Sequence, residues 1–463
     1  MEFAATAAPE GADQLPSRPL YHHLALTVYW LSNSLLWGAL LHQALQSRMR
    51  DWFTESQAGY YFAILGIAGG IVGTGAQIIV GALSDRSLSR HGRRRPFFVP
   101  AVLLSLLPLL WLGSSKSFWP FAAALVVLQL FSNSALGPFS SLLPDTVNPK
   151  EHGKASGFMG VARLLGDTGG LVLTGILLST NALHVQHGVK EDGLLPPGVL
   201  SAFHDHQMFL LCAMMAGFML VTMIFAAFAI KEKPLKERPD LTTWQAVKGS
   251  FKVDVRGNQD FFWLSLSRGV TNIGFYMFLE VLYFFLAFSL KVPDPSKTNM
   301  FLMLPAIGCA VAVSVPAGLL SDKYGRLPLI YASQFLMAFA TAIFAFAPNL
   351  TWAYVATIPA GLAYGVLTAV EWALACNLLP KGETARYLGV WNASAVVPQI
   401  FAFLIAGVVG SRISAIVPGL GWRVDFGITV VACLVGAYFL RHVHERQDDK
   451  PQPACRGGEQ GQA

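Results

Sequence analysis

Apolar runs of roughly 20 residues or more, separated by short polar loops, extend along almost the whole chain. As a helix, a run of that length spans the ~30 Å hydrocarbon core of a bilayer. Lipid offers no partner to an open backbone, so each run must be helical. Twelve runs stand out, at 22–45, 57–83, 96–114, 118–143, 154–182, 205–230, 260–290, 298–320, 327–347, 350–378, 385–410 and 421–440. Several contain Gly or Pro, which membrane helices tolerate.

Composition agrees. The chain is 54% hydrophobic and 13% charged, against about 25% charged in soluble domains. Residues 1–21 are small and polar, without a basic start before a short apolar core. They read as a disordered tail, not a cleaved signal. Residues 441–463 read as a second tail. The five cysteines show no metal or disulfide spacing.

Residues 81–96 read GALSDRSLSRHGRRRP, and residues 318–328 read GLLSDKYGRLP. The shared opening recurs after 237 residues (322 minus 85). Leu142-Leu143-Pro144 recurs as Leu378-Leu379-Pro380, 236 residues on (378 minus 142). Lys154-Ala-Ser-Gly157 recurs as Arg386-Tyr-Leu-Gly389, 232 on (386 minus 154). The pattern therefore predicts an all-α polytopic membrane protein of twelve transmembrane helices in two parallel six-helix halves. The halves are 22–230 and 260–440, joined by a charged linker, 231–259. The loop 183–204 carries His184, His187 and His204; their spacing matches no standard metal site, and solvated loop histidines are expected.

An even number of spans puts both termini on one side. Of the 33 lysines and arginines, 23 fall on the side of the repeated loops, eight on the other and two inside spans. The positive-inside bias makes the loop side cytoplasmic. The net charge of +6 then reads as anchoring to the inner leaflet, and implies no nucleic acid.

Asp85 and Asp322 end spans two and eight, where a carboxylate opposes the helix dipole. A cation must offset each. Arg86, Arg93 and Arg94 are at hand in the first loop, Lys323 and Arg326 in the second. Gly81 and Gly318 open the motif, Gly92 and Gly325 permit its tight turn, and Pro96 and Pro328 suit the next helix. This Gly-x-x-x-Asp-basic loop resembles the signature of the major facilitator superfamily, over nearly the whole chain. The long arginine-rich first copy resembles the sucrose/proton symporter branch, near the glycoside–pentoside–hexuronide symporters. The resemblance implies that the loops form a cytoplasmic latch between the halves. Setting topology alone is the simpler alternative.

Ionisable residues inside a span are costly and usually functional. Five qualify: Arg163, Asp167, Arg268, Glu280 and Glu371. Arg163 and Asp167 lie four apart, on one face. The resemblance places helices 1, 4, 7 and 10 around the cavity, which brings Arg268 and Glu371 within reach of each other. Desolvation favours the protonated carboxyl and a nearby arginine the ionised one, so Glu371, Asp167 or Glu280 can carry a proton. Permanent ion pairs are the alternative, and Glu280 can instead face the outer water.

Sugars bind through aromatic faces and polar side chains. Arg268, Asn272 and Tyr276 make an i+4 polar stripe on span seven. Span one offers Asn33 and Trp37, span four Gln129 and Asn133, span five Arg163, span ten Trp372, and span eleven Asn392 and Gln399. Sodium-coupled relatives carry carboxylates in spans two and four. Here span two has only Gln77 among its larger polar groups, and span four ends at Asp145, which favours protons.

The expectation is a proton-coupled sugar or glycoside symporter of a bacterial inner membrane, acting as a monomer without a cofactor. Its partners are a small polar solute, protons and lipid. An exporter, an organic-acid carrier, or a non-transporting assembly factor or receptor are the alternatives. No nucleotide loop, metal motif or hydrolase triad suggests an enzyme.

Overall fold

The computed structural model describes residues 20–148, 151–181, 183, 198–230, 232, 255, 257–378 and 384–444. Among these, the side chains at 144, 152–154, 156, 376, 377, 384–386, 388, 389 and 392 lie outside the description. So do both expected tails, nearly all of the expected linker, His184 and His187.

Among the described residues, twelve helices are long and apolar enough to cross a membrane. They are α1 Leu20–Trp52, α2 Glu55–Ser84, α3 Arg95–Ser114, α4 Phe118–Ser140, α5 His152–Leu177 and α6 Val199–Ala229 in the first half. The second half holds α7 Gln259–Ser289, α8 Pro295–Tyr324, α9 Arg326–Phe346, α10 Leu350–Leu378, α11 Thr384–Ile416 and α12 Leu420–Leu440. The repeated loops lie on one face, here the motif face. The opposite one is the far face.

Three helices outrun their apolar sequence. α1 continues to Trp52 because Arg48, 1% exposed, finds partners inside the fold. It donates to Asp205 at 2.5 Å and to the Ser115 carbonyl at 3.1 Å, and stacks on Trp52. α6 begins early for the same reason. His204 is buried in it, with Nδ1 2.8 Å from Asp51, and is not the solvated loop histidine expected. α11 runs to Ile416 because Ser411 and Ser414 are buried in packing against α2 and α12.

Within the first half, α5 lies directly on α1. A side chain at Gly166 or Gly170 would collide with the α1 backbone at Leu31 and Leu35, so the two glycines permit the contact. α1 and α7 each contain a π-helical turn near the far face, Leu40–Ala44 and Phe285–Ser289.

The halves meet on the far face. Arg412 donates to the Tyr60 hydroxyl at 3.0 Å. Asn299 donates to the His42 carbonyl at 3.2 Å and Gln43 at 3.3 Å. Gly66 faces Phe403, and Gly70 faces Ile400. Toward the motif face no hydrogen bond or ion pair joins the halves among the described residues, and Arg163 and Asp167 are exposed although their charges act on Tyr276 of the other half. The interior is therefore closed on the far face and open toward the motif face.

Candidate functional site: a charged cavity between the halves

The second half contributes the most compact group. The Arg268 guanidinium lies 3.8 Å over the Trp391 ring, and its Nε is 3.5 Å from Glu371 Oε2. Glu371 is 5% exposed. Its Oε1, and Arg268 Nη1, have no hydrogen-bond partner among the described residues. Tyr276 lies two turns further along α7. Tyr364 on α10 stacks on Phe275 at 4.3 Å, and the Arg268 charge acts on both phenols. Trp372 is half exposed and lies 6.0 Å from Trp391.

The first half contributes a looser group. Asp167 Oδ1 is 3.4 Å from His42 Nε2. Arg163 stacks over Trp30 at 5.0 Å. The alternative of an Arg163–Asp167 ion pair thus gives way to partners on α1, because α5 presents this face to α1. Both charges nevertheless act on Tyr276 across the interior.

Several expected cavity residues serve the scaffold instead. Asn33 is buried and accepts from the Ser132 hydroxyl at 3.3 Å, joining α1 to α4. Asn272 donates to the Ser394 carbonyl at 3.1 Å, tying α7 to α11. Asn133 donates to Gln129 Oε1 at 2.7 Å, against Gly73 of α2. Trp37 packs on the core. Gln129 and Gln399 line one narrow recess between the halves. The Asn392 side chain lies outside the description. Glu280 does not face water: it is 3% exposed, with no partner for either oxygen among the described residues.

Two residues escaped the sequence reading. His42 sits on the π-helical turn of α1, which no apolar pattern signals. Asp425 on α12 is 1% exposed and also without a described partner. Its position near a predicted span end hid it.

Among the described residues, the motif loops make their contacts within their own halves. Arg94 pairs with Asp85, bonds Asp145 at 2.9 Å and donates to Ser84 at 2.7 Å. Arg93 bonds Asp145 at 2.5 Å. Glu232, just beyond α6, accepts from the Arg94 N–H at 2.8 Å. Gly92 turns the loop at φ 105°, where a side chain would strike Glu232. Gly81 receives Ser84 and Asp85 on its carbonyl. Arg86 lies in the same turn. In the second loop Arg326 is 4.0 Å from Asp322 and donates to the Ala373 carbonyl at 3.3 Å. Gly325 supplies a turn at φ 90°, and Lys323 lies over Tyr324. With the motif face open, no bond between the two loops is formed among the described residues.

A twelve-helix chain with duplicated charged loops and a cavity between its halves matches the profile of the Major Facilitator Superfamily over residues 23–314 and 293–460. The chain belongs to that superfamily. It is an integral membrane protein. Among solved structures of the superfamily fold, a bacterial homolog of the human lysosomal transporter Spinster, titled as inward-facing and unoccupied, aligns with TM-score 0.67 and 16% identity. That alignment covers 95% of this chain and 100% of the other. A mutant of the nucleoside transporter NupG aligns with TM-score 0.65 and 13% identity, covering 92% and 100%. Among curated proteins, the general alpha-glucoside permease of Schizosaccharomyces pombe (strain 972 / ATCC 24843) is 34% identical over 124 residues, 27% of this chain and 20% of that protein. The niacin transporter NiaP of Acinetobacter baylyi (strain ATCC 33305 / BD413 / ADP1) is 26% identical over 155 residues, 33% of each. The matched region thus spans a third or less of these curated relatives.

Proposed function

We propose that this transporter moves a sugar or glycoside together with protons by alternating access, across a plasma membrane of the bacterial inner-membrane type with the motif face in the cytoplasm. The observation that carries the reading is the Arg268–Glu371–Trp391 group. With the half-exposed Trp372 beside it, the group offers an aromatic face, a cation and a carboxylate with hydrogen-bonding capacity to spare. A polyol can stack on the Trp372 ring, accept from the guanidinium and donate to the carboxylate. Ligand hydroxyls at Arg268 would loosen its hold on Glu371, and the desolvated carboxylate would then take up a proton. The name of the fission-yeast relative supports the sugar class. The excess of basic residues on the motif side supports the orientation.

The test is uptake into proteoliposomes under an imposed pH gradient. Wild type is expected to accumulate solute, whereas Glu371→Gln exchanges it without accumulation. Full accumulation in the variant overturns the role of Glu371.

A second reading, an organic-acid carrier, draws on Arg163. This cation is exposed to the cavity and rests on Trp30, not on a carboxylate. Competition of sugars against organic acids in the same vesicles decides between them.

A further inference from the structure

On the far face, each half reaches into the other through one carboxylate. Glu55, the first residue of α2, accepts through Oε1 from the Gly419 N–H at 2.7 Å and the Trp422 indole N–H at 3.0 Å. Asp294, the N-cap of α8, accepts through Oδ2 from the Ser179 hydroxyl at 2.6 Å and the Thr180 N–H at 2.9 Å. Glu55 of the first half therefore holds the turn before α12, and Asp294 of the second half holds the end of α5.

The two contacts are alike at the level of elements: in each, an acid at the start of the second helix of one half meets the segment that follows the fifth helix of the other. This is a built arrangement, not a pair of chance surface contacts. Asp294 is 6% exposed and Trp422 1%. Each contact sits beside a close helix crossing, Gly59 on Gly407 and Ser411 in one case and Gly175 on Met300 in the other. A charged acceptor strengthens the bonds, and a buried N–H left unpaired is costly. All four bonds join opposite halves, so all four break when the far face opens.

We propose that Glu55 and Asp294 are positioning residues for transport, a reciprocal clamp that holds the far face shut. The proposal rests on alternating access as read above, and on neither the solute nor the coupling ion.

The test uses the full chain with its native cysteines replaced. Spin labels at Lys116→Cys and Asn349→Cys, exposed positions in far-face turns of the two halves, report the far-face separation. A second pair, at Arg90→Cys and Lys323→Cys, reports the motif face. Glu55→Ala removes one acceptor. Asp294→Asn keeps an oxygen to cap the Lys297 N–H, bonded at 2.9 Å, but turns an amide N–H toward Thr180. It therefore breaks the clamp without uncapping α8. Each variant is expected to raise the ratio of far-open to far-closed molecules about tenfold, and the double variant by more than either. Motif-face distances should shorten in step. Unchanged far-face distances in all three variants overturn the proposal. So does a far face that opens while the motif face stays open, since that is lost packing and not a shifted equilibrium. Solute uptake that ignores the pH gradient would defeat the proton reading and leave this measurement standing.

Discussion

In the first motif loop, Arg94 is a hub: Asp85, Ser84 and Asp145 meet its side chain, and Glu232 meets its N–H. Among the described contacts of the second, Arg326 lies 4.0 Å from Asp322 and donates to a backbone carbonyl. The opening residues of the loops are nearly the same, so they do not make the difference. The partner does. Asp145 follows Pro144, and the equivalent residue after Pro380 is Lys381 (381 minus 145 is 236). One half carries an acid where the other carries a base. A duplicated motif therefore keeps its turn, while its charge network depends on what the neighbouring helix end supplies.

The strongest way to break the asymmetry is Asp145→Asn. It leaves Arg93 and the buried Arg94 short of their shared carboxylate, at an expected cost of about 3 kcal/mol, seen as a lowered thermal unfolding midpoint in detergent. A midpoint within error of wild type would show that the hub is held by Asp85 and Ser84 alone. Next come the paired variants Asp85→Asn and Asp322→Asn. Both carboxylates are more than half exposed, so solvent screens each. Losses of about 1 kcal/mol and about 0.3 kcal/mol are expected, in that order. Equal losses would show that the two loops are energetically alike despite their geometry.

The smallest effect concerns Glu232. Burial is the main force pushing its carboxyl above the ordinary 4.5, and the Arg94 N–H opposes this. A raised value means that the folded protein holds this proton more tightly than the unfolded chain. The group therefore favours the fold at low pH, and that contribution is lost as pH climbs from 4.5 through the raised value. Glu232→Gln keeps an acceptor for Arg94 and removes the titration. Its midpoint should exceed that of wild type above the window and match it below. A gap of constant size on both sides would assign the effect to packing.

The twelve spans could be read from sequence because lipid enforces them: a membrane helix must be long, apolar and internally bonded. What failed was direction. A polar residue in a span must avoid lipid, but a sister helix satisfies that demand as well as the cavity does. Asn33 bonds to α4 and Asn272 to α11 for this reason. That Arg268 and Glu371 approach to 3.5 Å could be expected only through the resemblance, which sets helices 7 and 10 around one cavity. The Arg163–Asp167 ion pair, the alternative left open by their spacing, is not formed, because helical spacing says nothing about α1. Glu55 and Asp294 gave no signal at all, since a lone acid in a far-face turn looks like ordinary solvation.

In the language of oligomers, the far-face clamp is isologous in outline: the start of the second helix of each copy meets the segment after the fifth helix of the other. A single chain thus carries the contact of a two-fold dimer inside itself. Each experiment on one side of that axis has its own internal control on the other, in the same molecule and the same bilayer.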